Sequence, residues 1–482
     1  MNFLMFLLII FFAACKPDKE IIVEERSIPG PNPNLPAPNV PEQIEFMSLD
    51  ILEDSILLDL NTLSDVERLN SRYFVNCGEF NAGERDMGEF IAAANKMINS
   101  LSTEQRLEVV KPVGPTNCLY RIDLRDYGLT SGEWRSVGRR LLLQFVTESS
   151  RGQQIQFLTQ SLQPYVFTND FATTAMGADA LTADNGLYYQ LIEQPFALND
   201  FFKSIGADVQ GEVDDEQAVF AAFSQSQIAL GKTREIQFIE DNESYLITTY
   251  DSSLDQADDH FQNPFTFELA NAQGLRRSNK IFNFNAQEHI YLLPNGMLGY
   301  RLNGAAGTAE FVAPNNVVIN TLSSARQIDP TVNIGSCSGC HFEPTIQFRD
   351  QMKEHIANNP SFNALEKELG EVFFNRERAE GIIRTINQEY GDALRKLGAS
   401  NSVDQIHSKL IFPLRTEQNA DQVCGYLLLP VQECLQRIRG SALSSQVFGN
   451  LLNGNTVSLA VLSANFQQLV IDTQAFKDGS LN

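Results

Sequence analysis

An α+β protein of several domains is what this sequence predicts: a helical N-terminal region, a β-rich middle and a further helical segment behind it. Three observations carry the prediction. Apolar residues recur at three- and four-residue spacing from about residue 44 to 163, as helices with one buried face require. The period shifts towards two between Glu235 and Leu322, the spacing of strands. Helical spacing then returns from Thr345 to Lys396. The expected units are residues 1–14, 15–43, 44–165, 166–330, 331–400 and 401–482. With 482 residues, 43% of them hydrophobic, the chain can bury several cores without needing disulfides merely to stay folded. Its formal charge of -24 argues against nucleic acid as a partner, because phosphate binding draws on clustered Lys and Arg. It argues equally against adhesion to an anionic lipid surface by charge alone.

Residues 1–14 read as a signal peptide. Phe3 to Ala14 is an unbroken apolar run with the length of a secretory h-region, too short to cross a hydrocarbon core of roughly 30 Å as a helix. Phe12-Ala13-Ala14-Cys15 is similar to the processing box of bacterial lipoproteins, which implies lipidation of Cys15 and attachment to a bacterial membrane, in the periplasm or at the cell surface. Phe12 stands where Leu is usual, and no Lys or Arg precedes the run. A plain secretory signal and a short uncleaved anchor are the alternatives, and all three place the remaining chain outside the cytoplasm. Residues 15–43 form a linker. Prolines at 29, 31, 33, 36, 38 and 41 deny it helix and ladder hydrogen bonds and make it an extended spacer.

From residue 44 to 165 the pattern predicts helices, with Leu52, Ser55, Ile56 and Leu60 on one face and Phe90, Ala93, Ala94, Met97, Ile98 and Leu101 on another. Arg121 to Tyr127 alternates instead and reads as a short strand ending at Gly128. Residues 166–330 open on helical spacing, with Val219, Phe220 and Phe223 as an apolar stripe, and then turn to strands. The clearest element is a hairpin, in which His289–Leu293 and Met297–Leu302 flank the turn Pro294-Asn295-Gly296. A second turn at Asn303-Gly304 precedes Glu310–Val312. In residues 331–400, Leu365, Leu369 and Phe373 share a helical face. The tail 401–482, with Val457–Leu462 as a strand or helix, is expected to pack back on the segment before it.

Cys337-Ser338-Gly339-Cys340-His341 is the one specific motif in the chain. Attachment of a c-type haem needs two thiols about one helical turn apart, to reach two vinyl groups. It also needs an imidazole directly after the second thiol, to ligate the iron. The expected cofactor is one haem c, bound covalently by Cys337 and Cys340 with His341 as proximal ligand, which makes 331–400 a haem-bearing segment. A thioredoxin-like thiol pair and a zinc site are rival readings; the zinc site would draw on His341 and His355. Export favours haem c, whose maturation takes place outside the cytoplasm. For the sixth iron position, His355 ranks first, His407 second and Met352 third; the nearest upstream candidates are His260, His289 and Met297. Met352 and His355 share one helical turn, so at most one of them can close the iron. An open sixth position would admit small ligands or peroxide.

Four of the seven cysteines then remain, and sequence-local pairing gives Cys77–Cys118 and Cys424–Cys434. Three connectivities are formally open. The local one keeps each bridge within one expected unit and suits an oxidising compartment. Asp255, Asp258 and His260 could bind a cation but read more simply as an acidic loop, and Glu212 to Glu216 read as an exposed loop or helix start. Arg121, Asp123, Arg125 and Asp126 suit ion pairing across strands. No nucleotide-binding glycine loop, nucleophile elbow or metalloprotease helix motif is present.

Several short stretches together resemble a group of secreted bacterial proteins that carry a c-type cytochrome motif. These are Arg72-Tyr73-Phe74, Asn81-Ala82-Gly83, Tyr120–Gly128, the hairpin Ile290–Tyr300, the motif Ser336–His341 and the helix Met352–Ile356. The resemblance covers roughly residues 70–400; it implies haem at the motif, supports His355 as a ligand and leaves the reaction open. The expected function is a lipid-anchored, extracytoplasmic haem protein of electron transfer or redox sensing, working with a redox partner protein. The alternatives are a haem-dependent enzyme of peroxidase or oxidase type, and a surface binding scaffold with a structural haem or zinc site. The length of chain beyond the motif exceeds what a small electron carrier needs, which points to a partner- or substrate-binding body.

Overall fold

Ser48 opens the first helix, Leu49–Asn61, by accepting the Ile51 N–H, and buries Leu49, Leu52, Ile56 and Leu60 on its inner face. A capping box between Ser64 and Glu67 starts the next helix, Asp65–Asn70. The computed structural model describes residues 45–178, 182, 186–226, 232–241, 244–251, 284–312, 337–338, 341, 350–400 and 405–477. Among these, no helix is long and apolar enough to cross a membrane. The architecture is α+β, with a helical N-terminal part, a β-rich middle and a helical C-terminal region.

The helical N-terminal part also contains a small sheet. Its strands are β1 (Ser71–Val75), β2 (Lys111–Val113), β3 (Leu119–Asp123) and β4 (Tyr165–Phe167), in the order β2-β3-β1-β4. The β1–β4 pair is parallel and the others antiparallel. All five residues of β1 are buried, Ser71 and Arg72 included, in keeping with its place between β3 and β4. The strand expected at Arg121–Tyr127 is β3, which ends earlier, at Asp123, where Leu124–Tyr127 tightens into a 3-10 turn. The ion pairs expected across strands take other partners: Arg125 pairs with Asp123, two residues away, at 2.5 Å, and Arg121 reaches from the sheet to Asp59 of the first helix at 2.9 Å.

Two buried carboxylates tie the helices to this sheet. Glu53 accepts hydrogen bonds from Thr147 Oγ1 (3.0 Å), Ser149 Oγ (2.6 Å) and the Tyr165 hydroxyl (2.8 Å). Asp170, wholly buried, accepts the Leu142 and Leu143 N–H groups at 2.8 and 2.7 Å. Burial pushes its carboxyl up to about 6 despite these donors. A folded-state value above the unfolded one means that the folded chain binds the proton more tightly. The contribution to stability is therefore complete below about pH 4 and is lost as pH rises through about 6. The stability difference between wild type and Asp170→Asn is expected to change by on the order of 3 kcal/mol across that window and to be level above pH 7. Urea unfolding of both proteins from pH 4 to 8 measures it; a difference that is level throughout contradicts the assignment.

The middle of the chain forms a second, antiparallel sheet. Its strands are β5 (Val219–Ser226), β6 (Lys232–Asp241), β7 (Ser244–Asp251), β8 (Ala286–Leu292), β9 (Leu298–Gly304) and β10 (Ala309–Glu310), in sequential order. The stripe Val219, Phe220 and Phe223 thus belongs to a strand, not a helix. Val219 joins the main core while Phe220 joins a separate apolar cluster on the other face, the alternation that period two produces. The hairpin is as expected. Gly296 sits at φ 81, a conformation open to glycine at no steric cost, and Leu293 N–H closes the turn on Met297 O at 2.7 Å. Asn295 donates to Asn99 O at 2.9 Å and ties this turn to the helix Gly88–Asn99.

Helices Met352–Asn358 and Ala364–Phe373 pack with Phe220 and Ala222 through Met352, Ile356, Leu369 and Phe373, and helix Arg376–Lys396 follows them. Leu365, expected on the same face as Leu369 and Phe373, is 37% exposed. In the tail, Val457 bridges Gln418 and a helix runs from Leu459 to Thr473. The tail seals the N-terminal half. Phe476 stacks on Phe145 with ring centroids 4.1 Å apart, Phe476 O accepts the Glu148 N–H, and Asn169 donates to the Tyr426 hydroxyl at 2.8 Å. Cys77–Cys118 and Cys424–Cys434 are disulfides. They lie beside Gly78 and Gly425, whose backbones touch so closely that a Cβ on Gly425 would stand 2.9 Å from Gly78 Cα. One apolar core runs from Met47 to Phe476, so the regions of the chain are built around shared packing.

Candidate haem attachment site

The motif begins as a helical turn. The His341 N–H donates to Cys337 O at 2.8 Å, the hydrogen bond that closes one turn of α-helix. Cys337 is buried within the main core, and Ser338 beside it is buried as well. Gly339 and Cys340 lie outside the described residues, as do Cys15 and the acidic stretch Asp255–His260. Tyr188 and Tyr189 stand near Cys337, and their hydroxyls accept the N–H groups of Tyr300 (3.3 Å) and Leu302 (2.8 Å) along β9. Burial drives both phenols far above their ordinary range, so they stay protonated hydrogen-bonding groups.

The imidazole of His341 lies against β8 and β9. Its ring centroid is 6.2 Å from that of Tyr300, and its Nε2 is 3.7 Å from Glu288 Oε1, with each of these two side chains 14% exposed. Cross-strand register fixes which face of the sheet this is. Glu288 is opposite Thr249 on one side and Leu302 on the other, and Ile290 is opposite Tyr300. Phe220, Gln237, Thr248, His289 and Arg301 form the alternate row and point to the other face.

That row decides where the sixth-position candidates sit. Met352 and His355 belong to the helix packed against Phe220 and Ala222, held there by Gln351 N–H to Ala222 O (2.8 Å) and Ala222 N–H to Asp350 Oδ1 (2.9 Å). They are on the opposite face of the sheet from His341, at the β5 edge, with β6 and β7 between β5 and β8. At roughly 4.8 Å between neighbouring strands, β5 and β8 are about 14 Å apart. His355 Nε2 is 3.3 Å from Asn359 Nδ2, and its ring lies edge-on to Phe362. His289 also points away from His341. Burial and the neighbouring Arg301 push its imidazole down to about 3, and its Nδ1 is 2.9 Å from Thr248 Oγ1. His407 is buried in a π-helical segment, Ile406–Ile411, packed on the helices Gly88–Asn99 and Thr168–Ala175. The structure thus brings Cys337 and His341 together and sets Met352 and His355 apart from them.

A buried thiol and an imidazole one helical turn apart, against an aromatic ring, are two of the three groups that haem c attachment would use. Among the described residues, no group of three or more His, Cys, Asp or Glu side chains is arranged to hold a metal ion by itself. Sequence reasoning did not single out Glu288, Thr249, Tyr188 or Tyr300. For Glu288, Thr249 and Tyr300 the only signal was the alternation along β7, β8 and β9; Tyr188, in the helix Leu187–Leu191, had none. Compared with protein-family models, with characterised proteins and with solved structures, the chain matches none of them.

Proposed function

We propose that the protein is an extracytoplasmic, lipid-anchored haem protein that binds one haem c through Cys337, Cys340 and His341 and acts with a redox partner in electron transfer or redox sensing. The observation that carries this reading is the hydrogen bond from the His341 N–H to Cys337 O, which sets the imidazole of a Cys-x-x-Cys-His sequence one helical turn from its first thiol. The two disulfides support an oxidising compartment. Haem at this position would supply one-electron chemistry; the protein's own groups would orient the imidazole and exclude water from it. A second reading is favoured by the separation of Met352 and His355 from His341 across the sheet. An iron without either of them would be open to small ligands, as in a haem-dependent enzyme.

The test is the pyridine haemochrome of the full chain matured with haem c machinery. A c-type haemochrome is expected in wild type and is expected to disappear when Cys337→Ala is combined with Cys340→Ala. Retention of covalent haem by that double variant in denaturing gels would overturn the assignment of both cysteines.

A further inference from the structure

We propose that Glu288, with Thr249 beside it, faces the iron-binding nitrogen of His341 and governs the sixth position of the metal. The inference rests on the haem reading above. Glu288 Oε1 is 3.7 Å from His341 Nε2, beyond hydrogen-bond length. Imidazole nitrogen and carboxylate oxygen bond a cation such as zinc at about 2.0–2.2 Å each, so two such bonds in line span a few tenths of an ångström more than this gap.

The surroundings leave Glu288 turned towards His341. Its neighbour Asp251 already holds the nearby guanidinium: Arg234 Nε and Nη2 donate to the two Asp251 oxygens at 2.7 and 2.8 Å. Asp251 also repels Glu288, which makes a cation at His341 the favourable counter-charge. Thr249 is directly opposite Glu288 in the β7–β8 register and on the same face. Its hydroxyl is 5% exposed at the residue level and makes no hydrogen bond to the rest of the described protein. A buried hydroxyl without a partner costs about 1–3 kcal/mol, an expense that a water or small ligand held beside Glu288 would remove. A carboxylate and a hydroxyl are oxygen donors, so this face suits water, hydroxide or a small anion at the metal. Among the described residues of this face there is no thioether or second imidazole of the kind a low-spin electron carrier uses.

The experiment uses the haem-loaded full chain and its ferric and ferrous absorption spectra. Wild type is expected to be high-spin in the ferric state. Glu288→His, which places an imidazole towards His341, is expected to convert it to a low-spin spectrum. Glu288→Gln, which keeps the shape of the side chain and the fold, is expected to change the dissociation constant for azide tenfold or more, and Thr249→Val by a smaller factor in the same assay. His355→Ala and Met352→Ala are expected to leave the spectrum unchanged. A low-spin wild type that His355→Ala or Met352→Ala turns high-spin overturns the assignment of Glu288. An unchanged spectrum and unchanged azide affinity in Glu288→Gln overturns it equally, while the haemochrome still stands. Loss of the c-type haemochrome from every protein, wild type included, overturns the haem reading itself and Glu288 with it.

Discussion

Arg234→Leu is expected to destabilise the protein by about 3–5 kcal/mol, because it strands a carboxylate in the interior. Asp251 is 1% exposed, and Arg234 grips both its oxygens through two nitrogens. Taking away the guanidinium leaves a buried negative charge with Glu288 as its neighbour. Either the charge stays at a high electrostatic cost, or the group takes up a proton and loses its preferred acceptors. Replacing both partners removes the problem along with the bond. Arg234→Leu combined with Asp251→Leu is expected to recover most of the loss. Urea unfolding of the two singles and the double gives the coupling directly. A single Arg234→Leu variant within about 1 kcal/mol of wild type would show that this pair does not hold the sheet.

The second large effect is expected from Cys77→Ser combined with Cys118→Ser. The bridge spans 41 residues, and loop-closure entropy in the unfolded chain gives it about 4 kcal/mol. The Cys424–Cys434 bridge spans only 10 residues, for which the same relation gives about 3 kcal/mol. Loop length alone predicts that the two removals add. The contact between Gly78 and Gly425, one residue along from each bridge, predicts that they couple, since loosening either segment releases the other. Denaturation midpoints of the two single-bridge variants and of the combined one distinguish these cases. Strict additivity would mean that the glycine contact carries no energy between the bridges.

Legibility in the sequence followed the length of each element and the strength of its local punctuation. The hairpin from Ala286 to Gly304 was readable because Asn295-Gly296 announces a turn between two apolar-rich runs, His289–Leu293 and Met297–Leu302. The helices of 352–396 were readable because Asn363 and Asn375 cap long, periodic segments. β1, β2 and β4 were not, since three to five residues carry too little periodicity to separate a strand from a piece of buried helix. Val219–Phe223 misled for a related reason: apolar residues at positions 219, 220 and 223 fit a helical face, while the strand buries both its faces. At the site, the Cys337–His341 motif was legible from spacing alone. Glu288 and Thr249 were not, because cross-strand register, a property of pairing between distant segments, brings them to one place.

The seal between the tail and the N-terminal half has a consequence for the order of events in synthesis. Phe145 waits for Phe476, Phe167 for Phe466, and Asn169 for Tyr426. A chain that emerges from its N-terminus presents the first helices and the small sheet long before the residues that cover them. During that interval apolar surface and a strand edge stand open to other chains. Until residue 476 arrives, the early segment lacks the rings that cover Phe145 and Phe167.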